Sequence, residues 1–249
     1  MGLFSDEDAQ VDSHGCPLLP GERTIFDHGS GYHAIYYTTA ACAAITLISS
    51  FSLIFSHLSR YRVPKEQRQI VKIVFTPFAF AIVSFGCLAN YHVAPYIIDL
   101  GDWYSAMCLT CLFLLYIQFA VPDSEFGEGM FQAMQKAAEK QIKNEQSGWP
   151  KLSWVFVFQY PVSETLAMLV LEGTTATGVY CPTSLKPKFG HLWFMIIKTV
   201  GLALCFITVL RFYQRTKSVC KARRGGFKLW GFKGIVLIRF VQTVSRHFH

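Results

Sequence analysis

Glu164, Lys198, Lys233 and Arg239 each interrupt an otherwise apolar stretch of this sequence. Inside hydrocarbon a charged side chain costs several kcal/mol unless it is paired or hydrated. Such residues either form structural ion pairs or line a water-filled path and receive an ionic group of a ligand. The remaining chemistry-bearing residues are sparse. Cys108 and Cys111 have CxxC spacing, but they sit among Leu and Met, which reads as packing rather than redox or metal chemistry. His247 and His249 close the chain and have no companion ligands nearby, so they do not make a metal site. The sequence contains no GxSxG, HExxH, Walker loop or GxGxxG, and nothing in it calls for a cofactor or for catalysis.

The elements that must position those charges follow from run length. A hydrocarbon layer about 30 Å thick takes roughly 20 apolar residues in helix. Stretches 35–56, 70–93, 103–121, 152–171, 192–210 and 229–244 meet or approach that length, the last weakened by Lys233 and Arg239. A compact water-soluble core supplies one such run, not five or six. The composition agrees: 16% of residues are charged and mean hydropathy is +0.31, against about 25% charged in an ordinary soluble domain. Disorder is excluded, because it needs low hydrophobicity and high net charge. The reading is an all-α, polytopic transmembrane helix bundle with six spans visible.

Orientation follows from Lys and Arg in the connectors. Segments 57–69, 122–151 and 211–228 carry fifteen, whereas 1–34, 94–102 and 172–191 carry three. Basic connectors stay cytosolic, so the acidic 1–34 tail is expected to be extracellular or lumenal. The net charge of +7 is then explained by topology and anionic lipid, not by a nucleic-acid partner. Cys16 and Cys181 fall on the same expected outer side, where they can pair. Cys220, beside Lys and Arg at the inner end of the fifth span, is either a palmitoylation candidate or a free thiol.

Within 122–151, Met130, Phe131, Met134, Ala138 and Ile142 share one face of a helix. That pattern is either an amphipathic helix lying on the cytosolic membrane surface or a solvated linker helix. The fourth span rises outward and the fifth returns inward. Glu164 and Lys198 are then about 10 and 9 Å below the outer face and level with one another. Arg239 falls about 15 Å from the inner face. Two arrangements fit: Glu164, Lys198 and Arg239 form one cluster of net positive charge, or Glu164 and Lys198 are a structural pair and Arg239 snorkels to the interface. Pro77 and Pro161 fall inside spans and free backbone carbonyls there.

One set of motifs resembles a known family. His57-Leu-Ser-Arg-Tyr61-Arg-Val-Pro64-Lys-Glu-Gln67-Arg68, followed by Pro77-Phe-Ala-Phe-Ala-Ile-Val-Ser84, is similar to the first-loop signature of the organic solute transporter subunit alpha family, which includes the transmembrane protein 184 group. Asp102-Trp-Tyr104, Phe158-Gln159-Tyr160, Gly178-Val-Tyr180-Cys181, Phe212-Tyr213, 228–238 and Gln242 resemble later motifs of the family, most closely its fungal members. The resemblance implies seven spans, and against that pattern the chain reads as truncated, with 245–249 outside it. It also implies facilitated movement of steroid- or bile-acid-like organic solutes, either with a single-span partner subunit or as a homo-oligomer, in the plasma membrane or a vacuolar or endomembrane. A receptor-like or vacuolar scaffold that recruits cytosolic partners is the competing reading. The candidate substrate path is Glu164, Lys198, Arg239 and Lys233.

Overall fold

The computed structural model describes residues 29–59, 64–89, 94–121, 128–139, 148–181 and 186–222. They form six helices: α1 (Gly29–Ser59), α2 (Pro64–Ala89), α3 (Ala94–Ala120), α4 (Glu128–Glu139), α5 (Trp149–Ala176) and α6 (Gly190–Ala222). No strand occurs among the described residues. Five of the helices, all except α4, are long and apolar enough to cross a membrane. The expected sixth span at 229–244, with Lys233, Arg239 and Gln242, lies outside the described residues, as do Tyr61 and Cys16. Among the described residues there are five spanning helices, and the seven-span pattern is not confirmed by them.

Helices overrun the apolar stretches because a membrane helix continues into the polar interfacial layer on either side. One overrun changes the chemistry. Residues 94–102 were expected as a connector, with the third span starting at 103. Instead α3 begins at Ala94, and Asp99 and Asp102 occupy its second and third turns. Pro95 permits this start, since a helix's first turn has no use for its N–H groups.

α3 is the central helix. It packs against α2, α5 and α6 and touches α4, while α1 packs on α2 at the periphery. The core is Leu109, Leu112, Phe113, Tyr116, Val157, Val209 and Phe212, all at most 2% exposed. Phe113 and Phe212 meet edge to face at 4.8 Å, and the Arg215 guanidinium lies over the Trp149 ring at 4.7 Å. The exposed Ile45, Ile48, Phe51 and Phe55 of α1 are an apolar surface of the kind lipid solvates without cost.

α4 packs against the bundle through part of its apolar stripe. Met130 and Met134 are buried in the same core as Trp149 and Phe212, and the Phe131 ring meets Trp154 edge to face at 5.8 Å. An aromatic floor covers the Met130, Phe131 and Met134 part of the stripe, and Ile142 lies outside the described residues.

α5 and α6 are held close by small residues. A Cβ on Gly201 would collide with Ser163, and one on Gly190 with Thr174. α5 ends at Ala176, and two residues on Gly178 has a φ of +69°, which suits glycine. Gly178 N donates to Thr175 O and Val179 N to Thr174 O, closing the last turn. That turn directs Tyr180 and Cys181 back over the start of α6.

Candidate functional site

Three helices bring ionised groups together inside their spanning lengths. Lys198 of α6 donates from Nζ to Asp99 Oδ1 at 2.7 Å and to Asp102 Oδ2 at 2.8 Å. Glu164 of α5 meets the same ammonium through Oε2 at 3.7 Å, too long for a hydrogen bond. Asp99 and Asp102 are three residues apart and so share one face of α3, which lets one ammonium reach both. The Lys198 stem also places Nζ 4.9 Å from the centre of the Phe194 ring.

The surroundings fix this geometry. Glu164 is 1% exposed, and Tyr160, itself buried, lies one turn earlier on α5. Pro161 lacks the N–H that would reach Val157 O, and Cys205 Sγ of α6 faces that carbonyl at 3.9 Å. Thr165 Oγ1 donates to Pro161 O and accepts from Trp103 Nε1 at 3.2 Å, joining α5 to α3 beside the cluster. In the connector between α5 and α6, the Tyr180 hydroxyl pairs with His191 Nδ1 at 3.1 Å. Burial, and then the negative charge of Asp99, push the Tyr180 phenol up to about 12, with Lys198 pulling the other way.

The expected residues divide as follows. Glu164 and Lys198 are together. Arg239 and Lys233 lie outside the described residues. Among the described residues, Asp99, Asp102 and Glu164 stand around the Lys198 ammonium. The residue missed was Asp99, because 94–102 was read as a connector. An i, i+3 pair of aspartates just after a proline is the pattern that marks it. Asp102 had been noted only as part of a motif.

The other motif residues are dispersed. His57 ends α1, and Pro64, Gln67 and Arg68 open α2. Pro77 removes the donor for Ile73 O, and the neighbouring Lys72 carbonyl accepts from Tyr104 Oη at 2.7 Å and faces Cys108 Sγ at 3.6 Å. Gln159 lies on α5. Cys108 and Cys111 are both buried and free. Cys181 is disulfide-bonded, and Cys16 lies outside the described residues. No group of three or more metal-ligating side chains occurs among the described residues.

A bundle of long apolar helices with a charge cluster sealed among three of them is the build of an integral membrane protein of the transporter type. A family model described as organic solute transporter Ostalpha matches residues 35–247, and the chain belongs to that family. Protein LAZ1 of Arabidopsis thaliana is 22% identical over 235 residues, covering 84% of this chain and 48% of its own length. A transmembrane protein 184 homolog of Dictyostelium discoideum is 23% identical over 206 residues, covering 80% of this chain and 41% of its own. The chain thus spans about half the length of these curated relatives. No solved structure matches.

Proposed function

We propose that this protein carries steroid- or bile-acid-like amphipathic organic solutes across its membrane by facilitated transport. The observation that carries the reading is the ionic cluster of Asp99, Asp102, Glu164 and Lys198 within spanning helices of an Ostalpha-family chain. Buried charge of this kind is costly and characteristic of solute pathways. A cleft between α1 and α2 supports it. It has a volume of about 360 Å³ and mixes the hydroxyls of Thr39, Thr46, Thr76 and Ser84 with Pro77, Phe80 and Ala81. That size and polarity suit a rigid apolar body bearing a few polar substituents.

In this reading the N-terminus is extracellular or lumenal, and a single-span subunit or a second copy completes the assembly. The test is uptake of a radiolabelled sulfated steroid into proteoliposomes. Saturable uptake that falls about tenfold or more in Lys198→Met supports transport. Uptake equal to that of empty vesicles, from folded protein supplied with its co-purifying subunits, rejects it and leaves the membrane-scaffold reading.

A further inference from the structure

We propose that the cleft between α1 and α2 binds an uncharged hydroxysterol drawn sideways from the bilayer, at a site separate from the ionic cluster. The proposal goes beyond carriage of an anionic solute. It keeps from that reading only the rigid ligand body.

Register comes first. α1 and α2 are consecutive spans and run antiparallel, and the Tyr36 and Phe85 rings meet at 5.7 Å. Thr39 and Ser84 line the cleft just below that contact. Thr39 is six positions from His33 and Ser84 five from Ala89, the neighbouring ends of the two spans, so both lie about 8–9 Å down at the helical rise. Thr46 and Thr76 line the other end of the cleft, each thirteen positions from the same span ends, or about 20 Å down. The cleft therefore runs along the membrane normal, chiefly through one half of the layer. That half is the outer one in the orientation proposed above.

Its polarity is one-ended. At the deep end Thr46 donates to Cys42 O and Thr76 to Cys108 Sγ, so both hydroxyls are already used. Thr38, outside the cleft, likewise donates one turn back to Ala34 O. Thr39 and Ser84 make no such bond among the described residues. Hydroxyls in a water-poor layer favour a partner. Two of them at one end of an otherwise apolar slot suit a ligand with a single polar group at its tip.

Charge excludes the commoner lipids. No Asp, Glu, Lys or Arg lines the cleft, and α1 packs on α2 at the edge of the bundle, whereas Lys198 belongs to α6. A phosphate or sulfate carried to this depth would be left without a cation. Ala43 and Ala81 contribute only methyl groups to the middle of the slot, beside Phe80. A fused-ring body fills such a space at little cost in conformational entropy, and a flexible acyl chain does not. Cys42 and Ser84 are exposed at the rim, next to the apolar face of α1, so the way in is from lipid.

The test is photolabelling of the full chain in phosphatidylcholine vesicles with a diazirine analogue of a neutral hydroxysterol. Saturable labelling confined to peptides of α1 and α2 is expected. The neutral sterol should compete and its 3-sulfate should not. Cys42, free and exposed on the cleft wall, should react more slowly with N-ethylmaleimide when the sterol is bound. Thr39→Val with Ser84→Ala should weaken competition about fivefold or more, as for lost hydrogen bonds, and Ala43→Phe should abolish labelling by filling the slot. Labelling that does not saturate, that spreads equally to Ile48, Phe51 and Phe55, or that the sulfate displaces equally well overturns the proposal. So does loss of sulfated-steroid uptake in step with labelling in the folded Ala43→Phe chain, which would make the cleft the carrier's own path. Should Ala43→Phe fail to fold, the hydroxyl variants and the Cys42 rate still decide. Vesicles that bind the sterol but carry no solute would reject the transport reading and support this one.

Discussion

Lys198 is bonded to Asp99 more tightly than to Glu164, at 2.7 Å against 3.7 Å, although Asp99 is ninety-nine positions away in the chain. The two elements that approach at this point are therefore α3 and α6, with α5 contributing the outlying third carboxyl. This ordering decides how the cluster responds to substitution. Lys198→Met takes the shared ammonium from the buried Asp99 and Glu164 and the half-buried Asp102. Removing one member of a buried pair costs about 3–5 kcal/mol. Asp99→Asn and Asp102→Asn each take a direct hydrogen bond, whereas Glu164→Gln removes only the long contact. Thermal unfolding in detergent should rank Lys198→Met as most damaging, the aspartate variants next and Glu164→Gln mildest. Adding Asp99→Asn and Asp102→Asn to Lys198→Met should recover part of the loss. Additive losses would show that the groups act independently.

The approach of α5 to α6 makes a second prediction. Gly201 faces Ser163 and the Tyr160 ring with no room for a Cβ. Gly201→Ala should lower the unfolding midpoint, by an overpacking cost of about 1–3 kcal/mol. Ser163→Gly in the same chain should restore most of it, because Ser163 supplies the colliding atoms. Gly173, with open space around its α-carbon, should accept alanine without loss.

The bundle was legible because lipid imposes length. Runs of about twenty apolar residues admit few other readings, and Glu164 and Lys198 are conspicuous within such runs. The cluster's true composition was not legible. Asp99 and Asp102 looked like connector residues, because two acids and a proline lower local hydropathy. What makes them acceptable in a spanning helix is an ammonium nearly a hundred positions later, and no local window contains it. The same limit applied to α4. Periodicity located the face of Met130 and Met134, but whether lipid, water or protein covers a face depends on tertiary packing.

That packing is testable at α4. Met134 is fully buried, whereas Gln132 two positions away is exposed. Met134→Ala should cost about 2–5 kcal/mol, as for a large core side chain. In a cysteine scan, Gln132→Cys should react rapidly with a water-soluble maleimide and Met134→Cys should not react until the protein unfolds. Equal protection of both positions by lipid alone, lost on transfer to mild detergent, would indicate a helix lying on the membrane instead.

Tyr180 makes stability depend on alkaline pH. Its phenol ionises near 10 in the unfolded chain but only at about 12 in the fold, through burial and the nearby Asp99. The unfolded state therefore releases this proton first. The stabilisation is fully present below pH 10 and is lost between pH 10 and about 12. Tyr180→Phe should flatten the fall in unfolding midpoint across that window. It should also remove a component near pH 12 from the tyrosinate absorbance titration.

Topology supplies the last prediction. Cys181 is disulfide-bonded, and structural disulfides persist in oxidising compartments. The α5–α6 connector is therefore expected outside the cytosol, on the same side as the Asp99 end of α3. This agrees with the fifteen-to-three bias of Lys and Arg toward the alternate connectors. Cys16 is the expected partner, since the positive-inside count puts the 1–34 tail on that same side. A non-reducing peptide map should then show a Cys16–Cys181 cross-link, and Cys16→Ser should leave Cys181 open to an impermeant maleimide added to intact cells or sealed right-side-out vesicles. Labelling of Cys181 from the cytosolic side instead would invert the orientation and reassign the basic connectors.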